Sequence, residues 1–304
     1  MIPDAWPRRA WALAAVAVLS FAACLPEPAP TPTPSPTATP LPTPVTTTYA
    51  LKATGWYGGL VVHLDRVVAV LDAGGGPVRL DLQLENPGND PGGLGGPILL
   101  AAGGRGVEPV PGTSMPEVPA AGRASVTLEF DVDGAFEMDR AAIRIGRSAE
   151  HQVIVPLLPG SLDLVTLEPI TTALTGKAAA GALSVALASA ELRADLPDWG
   201  LELAHDTLAL SVTYAARYTG NFSGGFAFTG SNIRLRLPSG REVAVREDGH
   251  SQSLEALKPG VTVMGLTSRF EVPTPGPGEY ALVVRDGKES SAIPFTIEVA
   301  APAG

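Results

Sequence analysis

From residue 49 onward, apolar and polar residues alternate in short runs, separated by clusters of Gly, Pro, Asn and Asp. VRLDLQLEN (78–86) and TLALSVTYA (207–215) are clear cases, each placing alternate side chains on an apolar face. That is the period of a half-buried strand. No long helical period interrupts the pattern, so strands and tight turns are expected to build the body. Residues 178–194, AAAGALSVALASAELRA, are harder, because alanine content alone favours helix. Leu183, Val185 and Leu187 nevertheless alternate with Ser184, Ala186 and Ala188, and the matching stretch 60–71 is rich in valine. The pattern predicts a strand.

The chain also matches itself. Tyr49-Ala50-Leu51 through Gly59-Leu60-Val61-Val62 resembles Thr172-Ala173-Leu174 through Gly181-Ala182-Leu183-Ser184. The run 78–86 matches 207–215, ILLAAGGRGVEPV (98–110) matches IRLRLPSGREVAV (233–245), and VPAAGRASVTLEFDV (118–132) matches LKPGVTVMGLTSRFEV (257–272). Last, RAAIRIGRSAEHQVIVPL (140–157) matches YALVVRDGKESSAIPFTI (280–297). The offset grows from 122 at Gly59/Gly181 to 138 at Gly122/Gly260, so the second copy carries the longer loops. A period above 100 residues is too long for a solenoid and fits duplication of a whole domain. With about seven short strands per copy at roughly 8–12-residue spacing, the expected fold is all-β. It consists of two tandem immunoglobulin-like β-sandwiches, residues 49–157 and 161–299.

The segment before residue 49 has another character. Arg8 and Arg9 precede an apolar run from Ala10 to Ala23. Fourteen apolar residues are too few to span a bilayer core, which takes ~20, so 1–23 reads as a signal peptide. Phe21-Ala22-Ala23-Cys24 resembles a bacterial lipobox. The resemblance implies cleavage before Cys24, a diacylglyceryl thioether on its sulfur and an extracytoplasmic protein lipid-anchored to the bacterial cell membrane. The competing reading is an ordinary A-x-A signal-peptidase site with Cys24 a bystander. Residues 24–48 then form a tether, LPEPAPTPTPSPTATPLPTPVTTT after Cys24, whose prolines favour extended polyproline II. At ~3.1 Å per residue such a spacer reaches roughly 70 Å.

Composition narrows the function classes. The chain has 304 residues, of which 17% are charged, with 34 Gly and 30 Pro, which excludes a coiled coil, a helical bundle and charge-driven disorder. One cysteine excludes a disulfide framework and a Cys-based zinc site. A formal charge of −10 argues against nucleic acid as a partner. The excess of acid is read as solubility for an exported body.

The lipobox, the Thr/Pro tether and the sheet patterns of Val78–Asn89 and Pro119–Phe130, repeated at Thr207–Tyr218 and Lys258–Phe270, together resemble a known group. It comprises bacterial surface lipoproteins with an Ig-like domain of unknown function, similar to the mycobacterial immunoprotective secreted antigen. The resemblance implies a fold and a cell-surface location, and brings no catalytic signature.

A search for chemistry yields little. His63, His151, His205 and His250 are far apart and lack metal-ligand spacing. There is no G-x-S-x-G or S-x-x-K for a serine nucleophile, and Asp72-Ala73-Gly74-Gly75-Gly76-Pro77 joins two strands as a turn and not as a phosphate cradle. No cofactor is expected. Asp131, Asp133, Glu137 and Asp139 have alternating hard oxygens that could wrap Ca²⁺, although solvated turn residues are the simpler reading. Two glycine-rich loops occupy the same place in the copies, Asn86–Pro97 and Tyr218–Asn232. The second adds Tyr218, Phe222, Phe226 and Phe228, either anchors for a protein or carbohydrate partner at the envelope or residues packing the sandwich edge. The expected function is a membrane-anchored, non-enzymatic binding or spacing module. The alternatives are an accessory subunit that regulates or assembles a membrane complex and, last, a secreted hydrolase.

Overall fold

Strand formation follows the alternation closely. The computed structural model describes residues 43–247, 251, 254–273 and 278–297. The signal segment, Cys24, His250 and most of the tether lie outside the described residues. The first half contains β1 (Val45–Tyr57), β2 (Leu60–Leu71), β3 (Gly75–Glu85) and β4 (Ile98–Ala102). It continues with β5 (Arg105–Val107), β6 (Arg123–Asp133), β7 (Ala142–Ile145) and β8 (Val153–Pro156). These make two antiparallel four-stranded sheets, ordered β1-β2-β3-β6 and β5-β4-β7-β8. The crossings from β3 to β4, β5 to β6 and β6 to β7 pass between the sheets, as Greek-key sandwiches require.

The second half opens with β9 (Ile170–Ala173), β10 (Lys177–Ala180), β11 (Leu183–Arg193), β12 (Asp195–Leu196) and β13 (Leu201–Glu202). Next come β14 (Thr207–Tyr218), β15 (Phe226–Thr229), β16 (Ile233–Arg236) and β17 (Glu242–Ala244). The last are β18 (Leu254–Leu257), β19 (Thr262–Pro273), β20 (Glu279–Asp286) and β21 (Glu289–Thr296). Its main sheets run β10-β11-β14-β19, with β9 on the same edge of β11, and β17-β16-β20-β21. If β9 and β10 together stand for β1, the strand order of the first half is repeated. Two ribbons, β12–β13 and β15–β18, are added. No α-helix occurs among the described residues. Residues 178–194 are extended despite their alanines but are not one strand, since Gly181, at φ 55°, turns the chain and pairs Lys177–Ala180 with Leu183–Ala186 as a hairpin.

All described residues belong to one compact unit, Pro42–Gly304, which holds two separate hydrophobic cores. Val78, Leu80, Leu82 and Leu84 of β3 point into the first and are at most 3% exposed, facing Leu100, Ile143 and Ile145 from the opposite sheet. Leu210, Val212 and Tyr214 of β14 do the same in the second, against Leu235, Leu282 and Val284. A sheet residue and its neighbours two places away share a face, so each strand commits one face to the core.

Hydrogen-bond pairing shows which residues correspond between halves. The first hairpin closes at Tyr57 and Leu60, its counterpart at Ala180 and Leu183, so Gly58 matches Gly181 at an offset of 123. Val78 and Leu210 occupy equivalent places opposite Phe130 and Phe270, an offset of 132. The run 78–86 therefore aligns three residues later than 207–215 suggests. Likewise Ile143 matches Leu282, one residue from the alignment of 140–157 with 280–297. The matches 98–110 with 233–245 and Phe130 with Phe270 stand as read. Both shifts are odd, so the sequence alignments had set inward positions against outward ones; alternation leaves only even slips open, and the ladder of pairs selects one.

A shared irregularity supports the correspondence. The pairing of β2 with β3 skips between Leu64 and Arg66, and that of β11 with β14 skips between Leu187 and Ser189. In each case one extra residue, Asp65 or Ala188, bulges out. Leu60, Val62 and Leu64 face inward before the bulge; Val67 and Ala69 do so after it. Without the bulge the pleat would turn the last two toward solvent.

The boundary of the tether moves as well. Val45–Thr48 pair with Leu71–Val68 on β2, so the strand begins four residues before residue 49. β-branched Val and Thr favour the extended state, and the exposed edge of β2 supplies partners.

Candidate functional site

The nine residues by which the offset grows between Leu60/Leu183 and Val78/Leu210 lie in the β11–β14 connection, which carries the β12–β13 ribbon. This ribbon reaches the turn between β1 and β2. Gly58 and Gly59 have φ of 57° and 85°, a left-handed pair suited to a two-residue hairpin turn. Their amides point at the ribbon. The Gly58 N–H donates to Glu202 Oε2 at 2.9 Å, and the Gly59 N–H donates to Asp195 Oδ2 at 2.6 Å. Asp195 and Glu202 are opposite one another in the ribbon, so one cross-strand pair serves two successive amides. Glycine is needed here for space too, since a Cβ on Gly59 would come within 2.7 Å of Pro197 Cα.

This clasp is buried. Asp195 is 4% exposed and Glu202 5%. Arg193 donates from Nε to Asp195 Oδ1 at 2.7 Å and also holds Glu191, compensating the Asp195 charge. Glu202 has no such cation: its Oε1 is buried without a hydrogen-bond partner among the described residues. Burial, with the Asp195 and Glu150 carboxylates nearby, pushes its pKa up to about 9 against the opposing pull of the Gly58 amide and Arg193. The Glu202 carboxyl is thus protonated at neutral pH, as expected of an acid that loses water without gaining a counter-charge.

Beside the clasp, the Tyr57 hydroxyl donates to Glu150 Oε2 at 2.7 Å, and Arg147 holds Glu150 Oε1 at 3.0 Å. Burial raises Glu150, but the Tyr57 hydroxyl and Arg147 outweigh it and leave its pKa below the usual carboxylate value. Backbone bonds continue the junction between halves: Trp56 N–H to Thr166 O at 2.8 Å and His151 N–H to Leu203 O at 3.0 Å. His151 Nε2 also lies 2.8 Å from Thr207 O. Leu196, Leu203 and Ala209 form a small apolar cluster of their own in the second half.

The second half repeats the clasp with local residues. There the Gly181 N–H donates to Glu289 Oε2 at 2.8 Å and the Ala182 N–H to Asp286 Oδ2 at 3.0 Å, both acceptors flanking the β20–β21 turn. In the first half the corresponding β7–β8 loop is longer, and its Glu150 is occupied by Tyr57. The inserted ribbon of the second half provides the two carboxylates instead.

Between the ribbon's turn and the loop after β3 lies a cleft of about 370 Å³. Its walls are Gly58 and Gly59 on one side, Asn89 and Asp90 on another, and Asp198 with Trp199 on the third. Trp199 is 60% exposed. Loop 86–93 is held in place by Asn86, 5% exposed, which donates from Nδ2 to Asp90 O at 2.8 Å and accepts from the Gly88 N–H at 2.8 Å. Asp198 is paired to Arg269 at 3.0 Å.

The residues singled out from sequence are placed differently. Tyr218, Phe226 and Phe228 are not loop anchors but belong to the second core. Phe228 is fully buried, edge-on to Tyr214 at 6.0 Å, and Tyr218 stacks on Phe226 at 5.7 Å. Residues 226–229 are strand β15 paired to β18, which turns the alternate aromatics inward. Only Phe222, 66% exposed, faces out. The calcium candidates do not converge: Arg105 takes both oxygens of Asp133 at 3.2 and 2.7 Å, and Glu137 pairs with Arg140. Asp131 and Asp139 are exposed, and no group of three or more potential ligands occurs among the described residues. His63 lies between Thr54 and Glu85 at 3.2 and 3.3 Å. Of the two glycine-rich loops, it is Asn86–Pro97 that lines a cleft. Asp195 and Glu202 were not anticipated; the growing offset was their only signal in the sequence.

No protein-family model matches the chain, and no curated protein is similar to it. Among solved structures it is similar to one described as the crystal structure of the conserved domain protein from Bacillus anthracis. The identity is 9%, the match covers 82% of this chain and 90% of that one, and the TM-score is 0.21, too low to bear on fold or function.

Proposed function

We propose that this is a lipid-anchored extracytoplasmic lipoprotein whose two Ig-like sandwiches act as a non-enzymatic binding and spacing module. The sequence supports the anchor, with its sole cysteine at the end of a signal-type apolar run and before a Pro/Thr tether. The observation that carries the module is the clasp: Glu202 and Asp195 of the second half hold the Gly58 and Gly59 amides of the first. Buried bonds of this kind, that to Asp195 charge-assisted and that to the neutral Glu202 not, hold two sandwiches in one geometry, which suits a body that presents a surface at a distance from the membrane. The carboxylates that gather there are engaged with backbone amides, Arg193, Tyr57 and Arg147, an arrangement that positions chain and not substrate.

Two measurements test this. Cys24→Ser should release the protein from the membrane fraction, and the mature N-terminus of the wild type should carry a diacylglyceryl adduct by mass spectrometry. Retention of Cys24→Ser on the membrane removes the anchor. Affinity capture from envelope extract should recover a polymer or foreign ligand. A native membrane complex in fixed stoichiometry would instead make the chain an accessory subunit of that complex.

A further inference from the structure

The cleft beside the clasp has a chemistry that selects its ligand. We infer that it binds a neutral saccharide, an assignment that rests on reading the chain as a binding module and names its ligand class. At about 370 Å³ the cleft falls within the range of small-molecule sites, ~300–1,000 Å³. Gly58, Gly59, Gly88, Gly92, Gly93 and Gly200 line it without side chains. The N–H groups of Gly58, Gly59, Gly88, Gly92 and Gly200 are bonded within the protein, so the polar groups left to a ligand are chiefly the side chains of Asn89 and Asp90. Hydroxyl groups, which both donate and accept, match the Asn89 amide and the Asp90 carboxylate.

Trp199 supplies the other half. Its indole, 60% exposed at the tip of the ribbon, is a large flat apolar face left in water at the rim of an otherwise polar cleft. A sugar ring has the complementary shape, an apolar C–H face to lie on the indole and hydroxyls around its edge. Other ligand classes fit less well. No Lys, Arg or His lines the cleft, and two Asp do, which disfavours phosphates, sulfates and uronic acids. A quaternary ammonium needs a cage of aromatics, and Trp199 is the single aromatic here, with Asp198 already paired to Arg269. An apolar ligand would find Leu60, only 2% exposed, and two prolines.

The walls are also pre-formed. Asn86 pins the loop 86–93, and the clasp pins the ribbon that carries Trp199, so little ordering is left for the ligand to impose.

The test uses the full chain, solubilised in detergent and titrated with hexasaccharides of glucose, mannose, galactose and arabinose. A hexamer of galacturonic acid and choline chloride serve as charged probes. At least one neutral hexasaccharide should bind and shift tryptophan fluorescence, with the charged probes inert. Trp199→Ala and Asn89→Ala should each weaken binding at least tenfold at unchanged melting temperature, and Trp199→Phe should retain part of it. Phe222→Ala, away from the cleft, should leave it unchanged. The assignment is overturned if no neutral hexasaccharide binds, if a charged probe binds in its place, or if binding survives both Trp199→Ala and Asn89→Ala. Failure with sugars while the envelope capture still recovers a different ligand overturns the saccharide alone; failure of both removes the binding module as well.

Discussion

The Gly59 amide of the first half donates a 2.6 Å hydrogen bond to the Asp195 carboxylate of the second, in a place where neither residue can be exchanged at low cost. Gly59 sits at φ 85° with Pro197 against the position a Cβ would take, and Asp195 is 4% exposed. Removing the carboxylate in Asp195→Ala leaves the Gly59 amide and the Arg193 guanidinium without it. The expected loss is about 3–5 kcal/mol, the scale for breaking one side of a buried pair. Urea unfolding of the single variant measures it, and a loss under 1 kcal/mol would show that the clasp contributes little.

Glu202 makes the junction sensitive to pH, with a definite sign. In the folded chain its proton is held up to about pH 9, against an ordinary value of 4.5. Between these values the folded state carries one proton more than the unfolded state. Stability attributable to this group is therefore largest at acid pH and falls as pH rises, by ~1.4 kcal/mol per unit at most. Glu202→Gln, neutral at every pH, should remove this slope. The difference between wild type and variant in unfolding free energy, followed from about pH 5 to pH 9, should grow in favour of the variant.

The aromatic residues of 218–232 should separate by burial. Phe228→Ala opens a cavity beside Tyr214 and is expected to cost about 3–5 kcal/mol. Phe222→Ala removes a ring already in water and should stay within about 0.5 kcal/mol. Equal effects in thermal unfolding would contradict their placement.

Deletion at a bulge tests the register. Removing Asp65 forces either Leu60–Leu64 or Val67–Ala69 onto the outer face of β2, and the first core should lose cooperative unfolding. Asp65→Ala keeps the residue count and should be nearly neutral, because the side chain is exposed. Near-ultraviolet circular dichroism of the two proteins decides between a register effect and a side-chain effect.

Leu210 is fully buried opposite Phe270, whereas its neighbour Leu208 is only partly covered. Leu210→Asp should destabilise the second core by several kcal/mol through an unpaired buried charge, and Leu208→Asp by distinctly less. Chemical denaturation of the two variants provides the ranking.

Local information sufficed for the strands. Alternation at 78–86, 118–132 and 207–215 exposes one face and hides the other whatever the surroundings, so the all-β class and even the alanine-rich strand at 183–193 were legible in the chain alone. The repeated strand order left its mark in the chain for the same reason, since sheets of the same order that bury equivalent faces keep similar patterns. Register was not fully read. The shifts of three residues at 78–86 and of one at 140–157 are odd and would have set core faces against outer faces. Among the even slips that alternation does allow, only the pairing of Val78 with Phe130 and Leu210 with Phe270 selects one. Asp65 and Ala188 interrupt the alternation in a way that looks like noise until the bulge is seen. The aromatic residues after Tyr218 show the limit from the other side: glycine neighbours suggest a loop, yet pairing with β18 makes Phe226–Thr229 a strand and draws Phe228 into the core. The clasp and the cleft were beyond the reach of sequence altogether. Asp195 and Glu202 are ordinary acids in a polar stretch, and their roles exist only because a nine-residue insertion folds back on a turn 136 and 144 residues away. Pattern along a chain records which face is buried; it carries no record of which distant backbone amide a buried carboxylate will meet.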